Sequence, residues 1–158
     1  MNDSKQITLS QDEVLEIHKS FHITAVSGSF DLVHLGHLRF LHCAKEINPE
    51  NKLLVILLSD RIIKERKGPK RPFFNQEKRI EFLSYLKDVD YIVIWDQSLD
   101  ELRKFTQELK SEVFVVNEGD PGLENKRENV ERYGGKFVIF KRSDDYSTTK
   151  IISDIKNL

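Results

Sequence analysis

The sequence predicts an α/β fold: a doubly wound parallel sheet of five strands with helices on both faces. Three observations carry this expectation. Short apolar runs recur along the chain, segments with helical spacing lie between them, and the two kinds of segment alternate. Such alternation favours parallel strands joined by right-handed crossovers. The runs are Ile23 to Val26, Leu53 to Leu58, Tyr91 to Trp95, Val113 to Val116 and Phe137 to Phe140. Each is bounded by polar residues and rich in Val, Ile or Phe, as strands buried on both faces are.

The helices follow from apolar stripes. Leu35, Leu38, Leu41 and Ala44 recur at three-residue steps with Phe40 beside them; Ile80, Phe82, Leu83 and Leu86 make a second stripe, and Leu99, Leu102, Phe105 and Leu109 a third. Ahead of the first strand, Ser10 to Lys19 reads as a short amphipathic helix. Ser10 and Glu13 are spaced as a capping box, and Val14, Leu15 and Ile17 form the apolar side. Residues 1–20 are read as an N-terminal extension serving packing or subunit contact, and 21–158 as the single remaining domain. Two further expectations concern the rest of the chain. Residues 60–78 read as a long basic loop, and a C-terminal helix turns Ile151, Ile152 and Ile155 to the core.

Composition narrows the function. Twenty-five Lys and Arg balance 26 Asp and Glu to a net charge of −1 over 158 residues, which disfavours a strongly basic nucleic-acid binder and an acidic tail protein alike. Hydrophobic residues at 39%, ten Phe among them, suffice for a core. The longest purely apolar run is six residues, far below the roughly 20 that cross a bilayer, so no membrane span is expected. The polar amino terminus leads into no apolar segment of signal-peptide length, and a cytoplasmic protein is expected. Cys43 stands alone, so neither an internal disulfide nor a thiolate metal cluster can form.

The chemistry-bearing segment follows the first strand. Gly28 permits close backbone approach, and the helix opening near His34 to Gly36 presents unpaired N–H groups and the positive end of its dipole to an anion. His34 and His37, three residues apart, lie on neighbouring positions of that helix end. A phosphate group fits between them. The same pattern also suits a structural turn, while a zinc site would want further His, Cys or carboxylate ligands; no metal site is assigned. In a doubly wound sheet, ligands bind beyond the carboxyl ends of the strands at the switch point.

At these residues the sequence resembles a known family. Gly28-Ser29-Phe30-Asp31-Leu32-Val33-His34-Leu35-Gly36-His37 is similar to the Gly-x-Phe-Asp-x-x-His-x-Gly-His signature of the cytidylyltransferase-like nucleotidyltransferases. The resemblance implies a Rossmann-like fold and contact of both histidines with a triphosphate. It runs over nearly all of residues 22–156. Ser59-Asp60, then Lys64-Glu65-Arg66-Lys67-Gly68-Pro69-Lys70-Arg71-Pro72, resembles a stretch of the heptose-1-phosphate adenylyltransferases; Gln76-Glu77-Lys78-Arg79, Val89-Asp90-Tyr91, Gly134-Gly135-Lys136 and Tyr146-Ser147-Thr148-Thr149-Lys150-Ile151-Ile152 continue it. Where the bacterial heptose enzymes typically have Lys-Gly-Gly-Asp, this chain has Asn117-Glu118-Gly119-Asp120. Arg142 and Lys150 resemble the ending of the glycerol-3-phosphate cytidylyltransferases instead.

What the resemblance implies is transfer of a nucleotidyl group from ATP or CTP to a sugar or polyol phosphate such as heptose 1-phosphate, with release of pyrophosphate. His34, His37, Lys64 and Arg142 are the implied catalytic residues. Gly28, Ser29, Phe30, Asp31, Gly36, Asn117, Asp120, Ser147, Thr148 and Thr149 are expected around the nucleotide, and Lys67 and Arg79 at the second substrate. Five cations between Lys64 and Arg71 suit a loop that closes over phosphates better than a nucleic-acid patch, since no aromatic residue is interleaved among them. Magnesium is expected to arrive mainly on the triphosphate. The protein is expected to be a homodimer. Two other readings stand beside this one: a glycerol-3-phosphate cytidylyltransferase, and a regulatory module that binds nucleotide without catalysis.

Overall fold

The computed structural model describes residues 7–141 and 148–157. Its elements, in chain order, are β1 (Thr8–Leu9), α1 (Gln11–His18), β2 (Ile23–Gly28), α2 (Leu35–Ile47), β3 (Lys52–Leu58), α3 (Asp60–Lys67), α4 (Gln76–Ser84), β4 (Tyr91–Trp95), α5 (Leu99–Leu109), β5 (Val113–Asn117), α6 (Leu123–Arg132), β6 (Lys136–Phe140) and α7 (Thr148–Lys156). The strands form one parallel sheet in the order β1-β4-β3-β2-β5-β6. The five expected strands are all present. The sheet has six because Thr8 and Leu9 add an edge strand paired with Ile92 and Val93 of β4. Two residues are too short to leave an alternation signal.

Strand β3 shows why the sheet is covered on both faces. Leu54, Ile56 and Leu58 point into one core with Val14 of α1, Ile62 and Ile63 of α3, Leu102, Phe105 and Leu109 of α5 and Val130 of α6. Leu53, Val55 and Leu57 point into the other with Phe40, Leu41 and Ala44 of α2 and Leu83 of α4. Successive strand side chains face opposite ways, so a continuous apolar run feeds both layers. The N-terminal extension packs on the sheet through β1 and through Val14, which is fully buried. Its Ser10–Glu13 capping box is formed in both directions.

Three expectations about elements are corrected. Residues 60–67 are helix rather than loop: Ser59 Oγ accepts from the Ile62 N–H as N-cap, and the chain stays irregular only from Gly68 to Asn75. A helix α6 lies between β5 and β6, where no apolar stripe marks it. The stripes also reach too far. Leu35 and Leu99, at the first positions of α2 and α5, are exposed, as are Phe82 and Ile155. Among the described residues no helix is long and apolar enough to cross a membrane.

Candidate active site

From the central strand β2 the chain runs outward to β3 and β4, then returns to lay β5 on the other side of β2. That reversal opens a crevice beyond the carboxyl ends of β2 and β5. A cleft of about 980 Å³ occupies it. Ser27 and Gly28 at the end of β2, Leu58 of β3 and Asn117 of β5 form its floor, and Ser29, Phe30, Asp31, His34 and His37 one wall.

The turn after β2 is held open by packing. Phe30 adopts a positive φ of 45° and is buried, its ring against His37 and Phe40. A Cβ at residue 28 would stand 2.9 Å from that ring, so only glycine fits. His34 is the N-cap of α2. Its Nδ1 accepts from the Gly36 N–H at 3.1 Å, and the His34 N–H donates to His37 Nδ1 at 3.4 Å. An Nδ1 that accepts cannot carry the proton, so the neutral rings are Nε2–H tautomers. His34 and His37 both line the cleft, whereas Gly36 serves the cap and does not line it.

Asp31 is buried and committed to the protein. Its Oδ2 takes Nε and a terminal nitrogen of Arg71 at 2.7 and 2.6 Å, and its Oδ1 takes the Phe73 and Phe74 N–H groups at 2.7 and 3.1 Å. Four charge-assisted bonds clasp the irregular segment after α3 to the turn after β2. The sequence expectation for Asp31 was a nucleotide contact; the structure makes it the anchor that brings Arg71 to the cleft wall.

Arg79, expected at the second substrate, is fully buried behind the site. It donates to the carbonyls of Phe74, Ser29 and Leu58 at 3.0, 2.6 and 2.9 Å and to Asp60 Oδ1 at 2.8 Å. It ties four segments together and leaves no face toward a ligand. The cations on the cleft are Arg66 and Lys67 in the last turn of α3, Arg71, and Lys126 of α6; Lys64 is exposed one turn earlier and does not line the cleft. The two lie about 60° apart around α3, so it is the rise of about 4.5 Å between them, most of a turn, that sets Lys64 back from the cleft.

Beyond Asn117, the residues Glu118, Gly119 and Asp120 also line the cleft. Asp120 holds the turn into α6: its Oδ1 accepts from the Gly122 N–H at 2.8 Å and its Oδ2 from Lys126 Nζ at 2.7 Å. Lys126 also donates to Ser27 Oγ at 3.2 Å. Thus a cation from α6 reaches the carboxyl end of β2. Sequence reasoning missed Lys126 as a cleft residue and had Arg66 and Arg71 only within a basic loop over the phosphates; Gly122, a helix-start signal four residues before Lys126, was the available clue. Arg142 and Ser147 lie outside the described residues, as do the side chains of Thr148 and Thr149, whose backbone opens α7.

The cleft therefore joins two Nε2–H imidazoles and a set of fixed cations at the switch point, an arrangement suited to holding several phosphates in line. The chain matches the cytidylyltransferase-like family model over residues 25–154. It is 34% identical over 158 residues to the bifunctional protein HldE of Syntrophotalea carbinolica, covering 97% of this chain and 31% of that protein. With the HldE of Geobacter sulfurreducens the identity is 36% over 135 residues, 84% of this chain and 26% of that one. The chain thus spans about a third or less of the length of these relatives. Among solved structures, the lipopolysaccharide core biosynthesis protein of Thermoplasma volcanium superposes with a TM-score of 0.64 at 24% identity, over 78% of this chain and 99% of that one, which bears on the fold alone. The glycine-opened turn, the histidine-capped helix and a family match over most of the chain lead to one conclusion: this chain belongs to the cytidylyltransferase-like family.

Proposed function

We propose that the chain transfers a nucleotidyl group from a nucleoside triphosphate, ATP before CTP, to a sugar phosphate such as heptose 1-phosphate, releasing pyrophosphate. The observation that carries this reading is the pair of Nδ1-anchored histidines at the switch point, facing a cleft whose opposite side brings in Arg66 and Lys67. An acceptor phosphate is already anionic at neutral pH, so no general base is needed. One of its oxygens bonds to the α-phosphorus while the bond to the bridging oxygen breaks, and the electron pair leaves with pyrophosphate. The Nε2–H donors of His34 and His37 stabilise charge developing there. Arg66 and Lys67 hold the outer phosphates, with Arg142 as a further cation, and Asn117 and the α7 start meet the nucleotide. Magnesium enters on the triphosphate and screens its charge.

A grid of nucleoside triphosphates against sugar and polyol phosphates, read by magnesium-dependent pyrophosphate release, tests the reading. Release with ATP and heptose 1-phosphate is the expected result. Preference for CTP and glycerol 3-phosphate would favour the reading that rests on Arg142 and Lys150, and ATP binding without release under any acceptor would favour a regulatory module. A cytoplasmic homodimer completes the proposal. Phe73, Phe74, Phe82 and Tyr85 expose aromatic surface around α4, and Lys78 and Glu81 between them offer a two-fold copy opposite charges to pair. Sedimentation of the wild type against Tyr85→Glu checks it, a shift to monomer being expected.

A further inference from the structure

A smaller pocket of about 120 Å³ lies between α5 and α6. It shares Leu99, Leu102, Gly122, Asn125 and Lys126 with the main cleft and so adjoins it. Its lining combines apolar side chains, Leu102, Phe114 and Val130 among them, with the polar Arg103, Thr106, Asn125 and Lys126. Asn129 also lines it and is only 6% exposed, yet its Oδ1 has no hydrogen-bond partner among the described residues.

The orientation of that amide is fixed by its neighbour. Thr106 has a single hydroxyl hydrogen and donates it to the Arg103 carbonyl at 2.9 Å. Toward Asn129 it can only accept, so the amide nitrogen must face it, which it does at 2.7 Å. The carbonyl end is therefore held as a buried acceptor. A buried acceptor in such a place is costly unless a donor meets it.

We propose that this pocket receives the hydroxylated end of the acceptor sugar remote from its phosphate, with Asn129 Oδ1 accepting from a sugar hydroxyl. The inference rests on the nucleotidyl-transfer reading and specifies the acceptor's subsite. Size supports it. At a share of about 30 Å³ for each water-sized group, the pocket takes about four non-hydrogen atoms. The two-carbon arm by which a heptose exceeds its ring has two carbons and two oxygens, whereas a hexose has one carbon and one oxygen there. Leu102 and Val130 suit the C–H faces of such an arm, and an amide oxygen selects a neutral hydroxyl without attracting a second phosphate. Asn129 is thus a specificity-determining residue.

The test compares heptose 1-phosphate with hexose 1-phosphate on the wild-type chain and on Asn129→Leu. Binding is measured by calorimetry in the presence of a non-hydrolysable triphosphate analogue, and turnover by pyrophosphate release. The wild type should prefer the heptose by about tenfold or more, and the variant should lose that preference while keeping its affinity for the triphosphate. Should the variant melt early, Asn129→Met, which fills irregular space, takes its place. A folded variant that keeps the wild-type preference, or a wild type without one, overturns the subsite; a buried water would then satisfy Oδ1. Turnover with unchanged preference sinks this inference alone, whereas binding preference that depends on Asn129 without any turnover sinks the transfer reading and leaves the pocket.

Discussion

The imidazole rings of His34 and His37 stack with centroids 3.9 Å apart and planes 29° from parallel, while both Nδ1 atoms accept backbone N–H groups at the head of α2. In the proposed mechanism, capping and chemistry fall to opposite edges of the same two rings. The cap fixes tautomer and direction before any ligand arrives, which is what preorganised charge stabilisation needs.

For His37→Ala the expected result is a fall in kcat of about 10²–10³-fold, as for loss of one preorganised donor. The cap bond that His37 also makes is worth about 0.5–2 kcal/mol, so melting should drop by only a few degrees. Near-normal turnover in the folded variant would remove His37 from the chemistry.

The position of the α3 cations gives a head-to-head comparison. Lys67→Ala should raise KM for the triphosphate more than Lys64→Ala does, because Lys67 lines the cleft and Lys64 does not. Initial rates over a range of triphosphate concentrations decide it, and a larger effect at Lys64 would contradict the placement of α3.

Arg79 is expected to matter for the fold rather than for substrate affinity. Arg79→Ala strands three carbonyls and the Asp60 carboxylate, and by analogy with other broken buried ion pairs should cost about 3–5 kcal/mol. Urea unfolding measures the loss. Normal stability together with a raised acceptor KM would return Arg79 to the substrate site.

Asp90 ties β3 to β4 through the Leu53 N–H at 2.9 Å and through Lys45 and Lys52 at 2.9 and 3.2 Å. Burial pushes its carboxyl up, but the Leu53 N–H and the two ammonium groups outweigh that and hold it below the usual carboxylate range. A depressed carboxylate stabilises the fold above its unfolded pKa of about 3.9 and loses that contribution as pH falls through the folded value. Melting temperature should therefore drop more steeply on acidification below about pH 4 in the wild type than in Asp90→Asn. Parallel curves would refute the assignment.

Much of this was legible in the sequence. The five long strands announce themselves because burial on both faces demands unbroken apolar runs, and the β2 turn because Gly28, His34 and His37 are rare choices at that spacing. Helix α3 was hidden by its charges: only Ile62 and Ile63 are buried, and the bracket of Ser59 and Gly68 was its sole punctuation. Helix α6 rests on Leu123 and Val130, two turns apart, among charged neighbours. Arg79 and Asp31 show the opposite difficulty. Their motif positions are correctly found, yet whether a charged side chain faces ligand or clasps its own backbone is decided by tertiary contacts that no spacing encodes.

The central claim is that the cleft aligns the triphosphate and the acceptor phosphate together for one displacement. Cys43, the only thiol, is half-buried on α2 and does not line the cleft, so it offers no route through a covalent nucleotidyl-enzyme. The direct measurement uses a triphosphate made chiral at the α-phosphorus by sulfur substitution and determines the configuration of the product. A single in-line attack gives inversion, which is the expected result; retention would mean two displacements and would contradict the mechanism.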